Sequence, residues 1–86
     1  YETVSKGTID RSIVFMRTVI SKTICCNAKN IIITHNHPSG NIRPSQEDIK
    51  ITHKILEGLK LFDINLIDHI IVGKNDYFSF VEGGLL

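Results

Sequence analysis

The chain has 86 residues, 42% of them hydrophobic, with a formal charge of +1 and a pI near 8.0. That is enough for one globular domain and rules out disordered or collagen-like behaviour. No run of five or six like charges offers a basic arm for nucleic acid or an anionic membrane, and no apolar stretch approaches the ~18 residues needed to span a bilayer.

Residues 2–9 read as a strand, with Thr3, Val4, Thr8 and Ile9 favouring β structure and Gly7 marking a bulge or kink. Ile13-Val14-Phe15 is a short apolar run that finishes a second strand. From about residue 16 to 28, Met16, Val19, Ile20, Ile24 and Ala28 fit one face of a helix. Cys25 and Cys26, the only cysteines, fall in it. Neighbouring cysteines rarely bond to each other, so they read as free thiols, small and partly buried, in a reducing, cytoplasmic setting.

Residues 30–34 form a strand of β-branched type, followed by His35-Asn36-His37 and a loop broken by Pro38, Gly40, Asn41 and Pro44. Residues 45–62 carry the strongest helical signal, with Ile49, Thr52, Ile55, Leu56, Leu59 and Phe62 at spacings of three and four. Gly58 weakens that helix by ~1 kcal/mol without ending it, and His53 on its polar side reads as a surface residue. Residues 63–65 turn into a strand over 66–72. A second turn at 73–76 returns the chain along residues 77–81, with Phe78 and Phe80 on one face. This order predicts a single α/β domain over 1–86, a mixed β-sheet flanked by helices.

The chemistry concentrates between His35 and Asp48. In an extended chain, residues two apart share a face, so His35 and His37 point the same way. Asp48, in the first turn of the next helix, can reach back to them. Two imidazoles and a carboxylate make an N,N,O set of the kind that holds zinc with a position open for water. Ser45-Gln46-Glu47-Asp48 is also a capping-box-like helix start, but the four residue types at this joint spacing favour a metal site. The literal tripeptide His-Asn-His is weak support for an HNH nuclease, whose three residues are dispersed over a longer motif.

His-x-His, seven residues, then Ser-x-x-Asp is the spacing of the JAMM metalloprotease motif. His35-Asn36-His37-Pro38-Ser39-Gly40 followed by Pro44-Ser45-x-x-Asp48 resembles the RadC-like branch of the JAMM (MPN/JAB) domains. Gly7-Thr8, Arg17, Asn27-Ala28, Asp68-His69-Ile70-Ile71-Val72, Tyr77-Phe78-Ser79-Phe80 and Gly83 agree in order. Met16-Arg17-Thr18 departs from the family's Pro-Arg-Glu, and Cys25-Cys26 is unusual for it.

The resemblance implies a cytidine-deaminase-like fold and Zn2+ held by His35, His37 and Asp48. It also implies that Ser45 hydrogen-bonds the oxyanion and that an upstream glutamate acts as general acid/base. Glu2 is the sole candidate for that glutamate. Asp68 and His69 either support the metal ligands or form a polar pair closed by a local hydrogen bond. JAMM domains usually begin earlier, so the chain is expected to be truncated at its N-terminus. The implied activity is zinc-dependent peptide or isopeptide hydrolysis on a peptide or protein substrate. The alternatives are a DNA-repair-associated role, with DNA as partner through the family association only, and a metal-bound interaction module without catalysis. No membrane partner is expected, and an open sheet edge leaves room for a homodimer.

Overall fold

The computed structural model describes residues 11–37 and 41–86. The strand expected over residues 2–9, Glu2 included, lies outside the described residues. The elements run α1 (Arg11–Cys25), β1 (Asn30–Asn36), α2 (Gln46–Lys60), β2 (Asn65–Val72) and β3 (Tyr77–Ser79). The sheet order is β1-β2-β3, with β1 parallel and β3 antiparallel to β2. A β1–α2–β2 crossover is what a parallel pair requires. The architecture is the mixed α/β layer expected from the sequence.

Helix α1 contains Ile13, Val14 and Phe15, so they are helical and do not finish a strand. β-branched residues favour strands only weakly, and packing decides. Here Phe15, Met16, Val19 and Ile20 recur at helical spacing and pack against the core of Ile33, Ile51, Ile55, Leu59, Ile64 and Leu66. Both cysteines are exposed, not partly buried. The inward face of α1 runs through Met16, Val19, Ile20 and Thr23, which turns Cys25 away, and Cys26 lies past the last turn.

Both helices stop with a Schellman arrangement. At the end of α1, Asn27 takes a left-handed φ of 56°, and Ala28 N–H donates to Thr23 O at 3.1 Å. After α2, Asp63 does the same with φ 58°, and Ile64 N–H donates to Leu59 O at 3.0 Å. Ile64 is thereby carried into the core beside Leu59. Gly58 has a packing reason to stand in α2, since a Cβ there would come within 3.2 Å of Ile20 Cδ1 at the α1–α2 contact.

The helices described cover one face of the sheet, against which Ile33 and Leu66 pack. On the opposite face Ile32 and Val72 are exposed. The β1–β2 register slips between Ile31 and Ile32: Ile31 pairs with Leu66 but Ile32 pairs with Asp68, leaving Ile67 as an extra residue. Side chains alternate along a strand, so one inserted residue inverts every later position. Leu66 and His69 both face the helices for this reason, and His69 comes opposite Ile33.

Strand β3 ends at Ser79, short of the expected residue 81. The Asp68 carboxylate ends it by accepting from the Ser79 hydroxyl and from Val81 N–H, the latter at 3.1 Å. Phe80 is carried inward at that bend and is fully buried.

Candidate metal centre

Strand β1 and the start of α2 bring the three expected ligands together. One ligand atom each from His35, His37 and Asp48 lies within 4.8 Å of the other two. His35 sits on the covered face of β1, and His37 follows just past its end, tied to β2 by a bond from its N–H to Val72 O at 3.3 Å. Asp48 is placed by the helix cap. Ser45, with extended φ −80° and ψ 167°, accepts from Asp48 N–H at 3.0 Å, and Asp48 Oδ2 accepts from Ser45 N–H at 2.9 Å. The capping box and the carboxylate position are therefore one structure, and neither reading of Ser45-Gln46-Glu47-Asp48 excludes the other. The cap leaves Asp48 Oδ2 3.5 Å from His37 Nε2.

The donor set, two imidazoles and a carboxylate, is of a kind that could hold a metal ion. Ligands about 2.1 Å from a tetrahedral metal lie about 3.4 Å apart, so the His37–Asp48 pair already has that spacing. Burial pulls the His35 ring below its ordinary value, with nearby Asp48 opposing the shift and His37 adding to it, so the imidazole is held neutral as a ligand must be. Burial opposes ionisation of Asp48. The bonds from the Ser45 backbone and side chain, with the two histidines, outweigh it and hold the carboxyl below its ordinary range.

His35 Nδ1 is 2.8 Å from His69 Nε2, and His69 Nδ1 is 2.8 Å from Thr52 Oγ1. His69 is buried and stacks on Phe80, centroids 4.6 Å apart and planes 8° apart. Burial, with His35 beside it, lowers its pKa to about 4, so it is neutral at neutral pH. Asp68 does something else. It accepts from its neighbour's backbone, His69 N–H at 2.7 Å, and from the β3 end. The two residues of the Asp68-His69 pair thus divide the alternatives: the ring touches a candidate ligand, while the carboxylate closes local hydrogen bonds.

A cleft of about 510 Å³ opens beside the centre, lined by Arg11, Phe15, His35, Glu47, Asp48 and His69 among others. Phe15 meets the His35 ring edge-on at 6.3 Å. Thr52, Phe15 and Phe80 belong to this site without having been legible as such. Thr52 left one signal, its place a single helical turn after Asp48. Glu2 lies outside the described residues. His53 is exposed, its Nε2 2.8 Å from Leu85 O.

Two imidazoles from a strand end and a carboxylate from the next helix start, set in a parallel β–α–β unit, define an α/β domain with a candidate metal centre of JAB type. The chain belongs to the RadC-like JAB domain family, whose model matches residues 1–85. It is 55% identical over 86 residues to a UPF0758 protein of Fusobacterium nucleatum, covering 100% of this chain and 37% of that protein. It is 47% identical over 85 residues to the UPF0758 protein YeeS of Escherichia coli, covering 99% of this chain and 57% of YeeS. A UPF0758 protein of Pseudomonas putida is 44% identical over 84 residues, covering 98% of this chain and 37% of that protein. The chain therefore spans little more than a third to somewhat over half the length of these relatives. Among the described residues no helix is long and apolar enough to cross a membrane.

Proposed function

We propose that this domain is a zinc-dependent hydrolase that cleaves an amide, in a peptide or an isopeptide bond of a protein substrate. The observation that carries the proposal is the convergence of His35, His37 and Asp48 on one point at the mouth of a cleft. Zinc bound there would supply a water acidified to a pKa of about 7 and a Lewis acid for the carbonyl. His35 and His37 offer ring nitrogens and Asp48 a carboxylate held ionised by its cap. Ser45 keeps its acceptor role in the cap, and its hydroxyl hydrogen is the donor we assign to the oxyanion of the attacked carbonyl. Glu2 is the residue we assign to accept the proton from water and deliver it to the leaving amine. The exposed, free thiols of Cys25 and Cys26 support a reducing compartment, and we place the protein in the cytoplasm.

The test is hydrolysis of a fluorescence-quenched peptide library containing both α-peptide and lysine isopeptide bonds. Zinc-loaded chain is expected to cleave members of it and metal-free chain is not. Ser45→Ala is expected to keep zinc but lose about 100-fold in turnover, as for one lost oxyanion donor. Zinc bound tightly with no cleavage would overturn the hydrolase reading in favour of a metal-bound interaction module.

A further inference from the structure

Thr52 is fully buried on the inward face of α2, one turn beyond Asp48. Its hydroxyl sits between two partners, Asp48 O at 2.7 Å and His69 Nδ1 at 2.8 Å. A hydroxyl has one hydrogen to donate, and a neutral imidazole has one nitrogen that donates and one that accepts. The Asp48 carbonyl can only accept, so the Thr52 hydrogen goes to it. His69 Nδ1 must then donate to Thr52 Oγ1, which leaves His69 Nε2 as a bare acceptor. That acceptor faces His35 Nδ1 at 2.8 Å, so His35 carries its hydrogen on Nδ1. The nitrogen left with a free lone pair is His35 Nε2.

The reverse order has the opposite result. With the Thr52 hydroxyl turned towards His69, His69 Nε2 donates to His35 Nδ1, and the hydrogen of His35 moves to Nε2. A protonated nitrogen cannot bind a metal, so His35 would be blocked.

We propose that Thr52 is a positioning residue for the metal centre: by donating to the backbone carbonyl of Asp48 it fixes, through His69, the tautomer of His35 that leaves Nε2 free for a metal. The proposal rests on the reading of His35, His37 and Asp48 as ligands. It joins two of them, since the chain of bonds starts at the backbone of Asp48 and ends at the ring of His35. His37 reaches the same tautomer independently. Its Nδ1 is 2.7 Å from Asn41 O, a pure acceptor, so it donates there, while its Nε2 turns to Asp48 Oδ2 at 3.5 Å, outside the chain of bonds that Thr52 begins. His37 is therefore an internal control.

The experiment is a two-bond 1H–15N correlation spectrum of the 15N-labelled, metal-free chain at pH 8, paired with zinc affinity from competition with a chromophoric chelator. In the wild type, His35, His37 and His69 are expected to carry hydrogen on Nδ1. Hydrogen on Nε2 of either His35 or His69 overturns the proposal. Thr52→Val removes the hydroxyl at nearly constant shape. It is expected to let the His35–His69 pair populate the reversed tautomers, to leave His37 unchanged, and to weaken zinc by about tenfold, in the range found for groups behind metal-binding histidines. Thr52→Ser is expected to restore both. Unchanged tautomers and affinity in Thr52→Val overturn the proposal. Should that variant fail to fold, the wild-type and Thr52→Ser spectra still decide. Predicted tautomers in a wild type that binds no zinc would sink the metal reading and leave the control of the tautomer by Thr52 standing.

Discussion

Unfolding free energy of the metal-free chain is expected to drop by about 3 kcal/mol as pH falls from 6.5 to 4. The source is His69. Its folded pKa is lowered to about 4 from an ordinary 6.5, so over that window the unfolded chain takes up a proton that the folded chain refuses. Stability from this group is complete above pH 6.5 and is lost as pH falls towards 4. His35, lowered in the same direction, adds to the loss. Asp48 and Asp68 act in a separate window. Both are held below their ordinary 3.8, so their contributions disappear only under stronger acid. Urea unfolding at pH 7.5 and 4.5 measures the difference, and an NMR titration of the His69 ring assigns it. A stability that is flat over this range, or a His69 midpoint near 6.5, would contradict the buried neutral ring described here.

The second large effect is expected at Phe80. Fully buried, it stacks on His69 and meets Phe78 edge-on at 5.8 Å. Phe80→Ala should cost about 4 kcal/mol, the usual range for emptying an aromatic site, and a domain of this size has roughly 5–15 kcal/mol in all. Phe80→Leu refills most of the volume and should cost less than half as much. Urea midpoints report both. A loss under about 1 kcal/mol in Phe80→Ala would mean that the segment after β3 does not pack under His69. The consequence reaches the centre, because Phe80 forms one wall of the slot that orients the ring behind His35.

How much of this was legible in the sequence differs by element. Helix α2 announced itself through the spacing of Ile55 and Leu59 and through its Ser45–Asp48 start, which, with the residue types and the resemblance to the JAMM motif, is also why His35, His37 and Asp48 could be expected to converge. The start of α1 was not legible, because Ile13-Val14-Phe15 is locally strand-like and becomes helical through contacts with a distant core. The end of β3 depends on Asp68, eleven residues before Ser79, and no local signal in residues 77–81 records that bond. The inward turn of His69 depends on the bulge at Ile67. A run such as Leu66-Ile67-Asp68-His69-Ile70 has no strict alternation from which a shift of one residue could be read. Thr52 looked like one more member of a helical stripe, and only the fold puts His69 beside it.

The zinc centre proposed at His35, His37 and Asp48 is open to a single decisive measurement. Elemental mass spectrometry of the purified chain after zinc loading and gel filtration, with Asp48→Ala beside it, tests it most directly. Asp48→Ala also removes half of the capping box, at a cost of about 1 kcal/mol, so circular dichroism must show that the variant is folded. One zinc per chain is expected in the wild type and none in folded Asp48→Ala. A folded wild type without zinc, or a variant that keeps it equally well, would contradict the proposed centre.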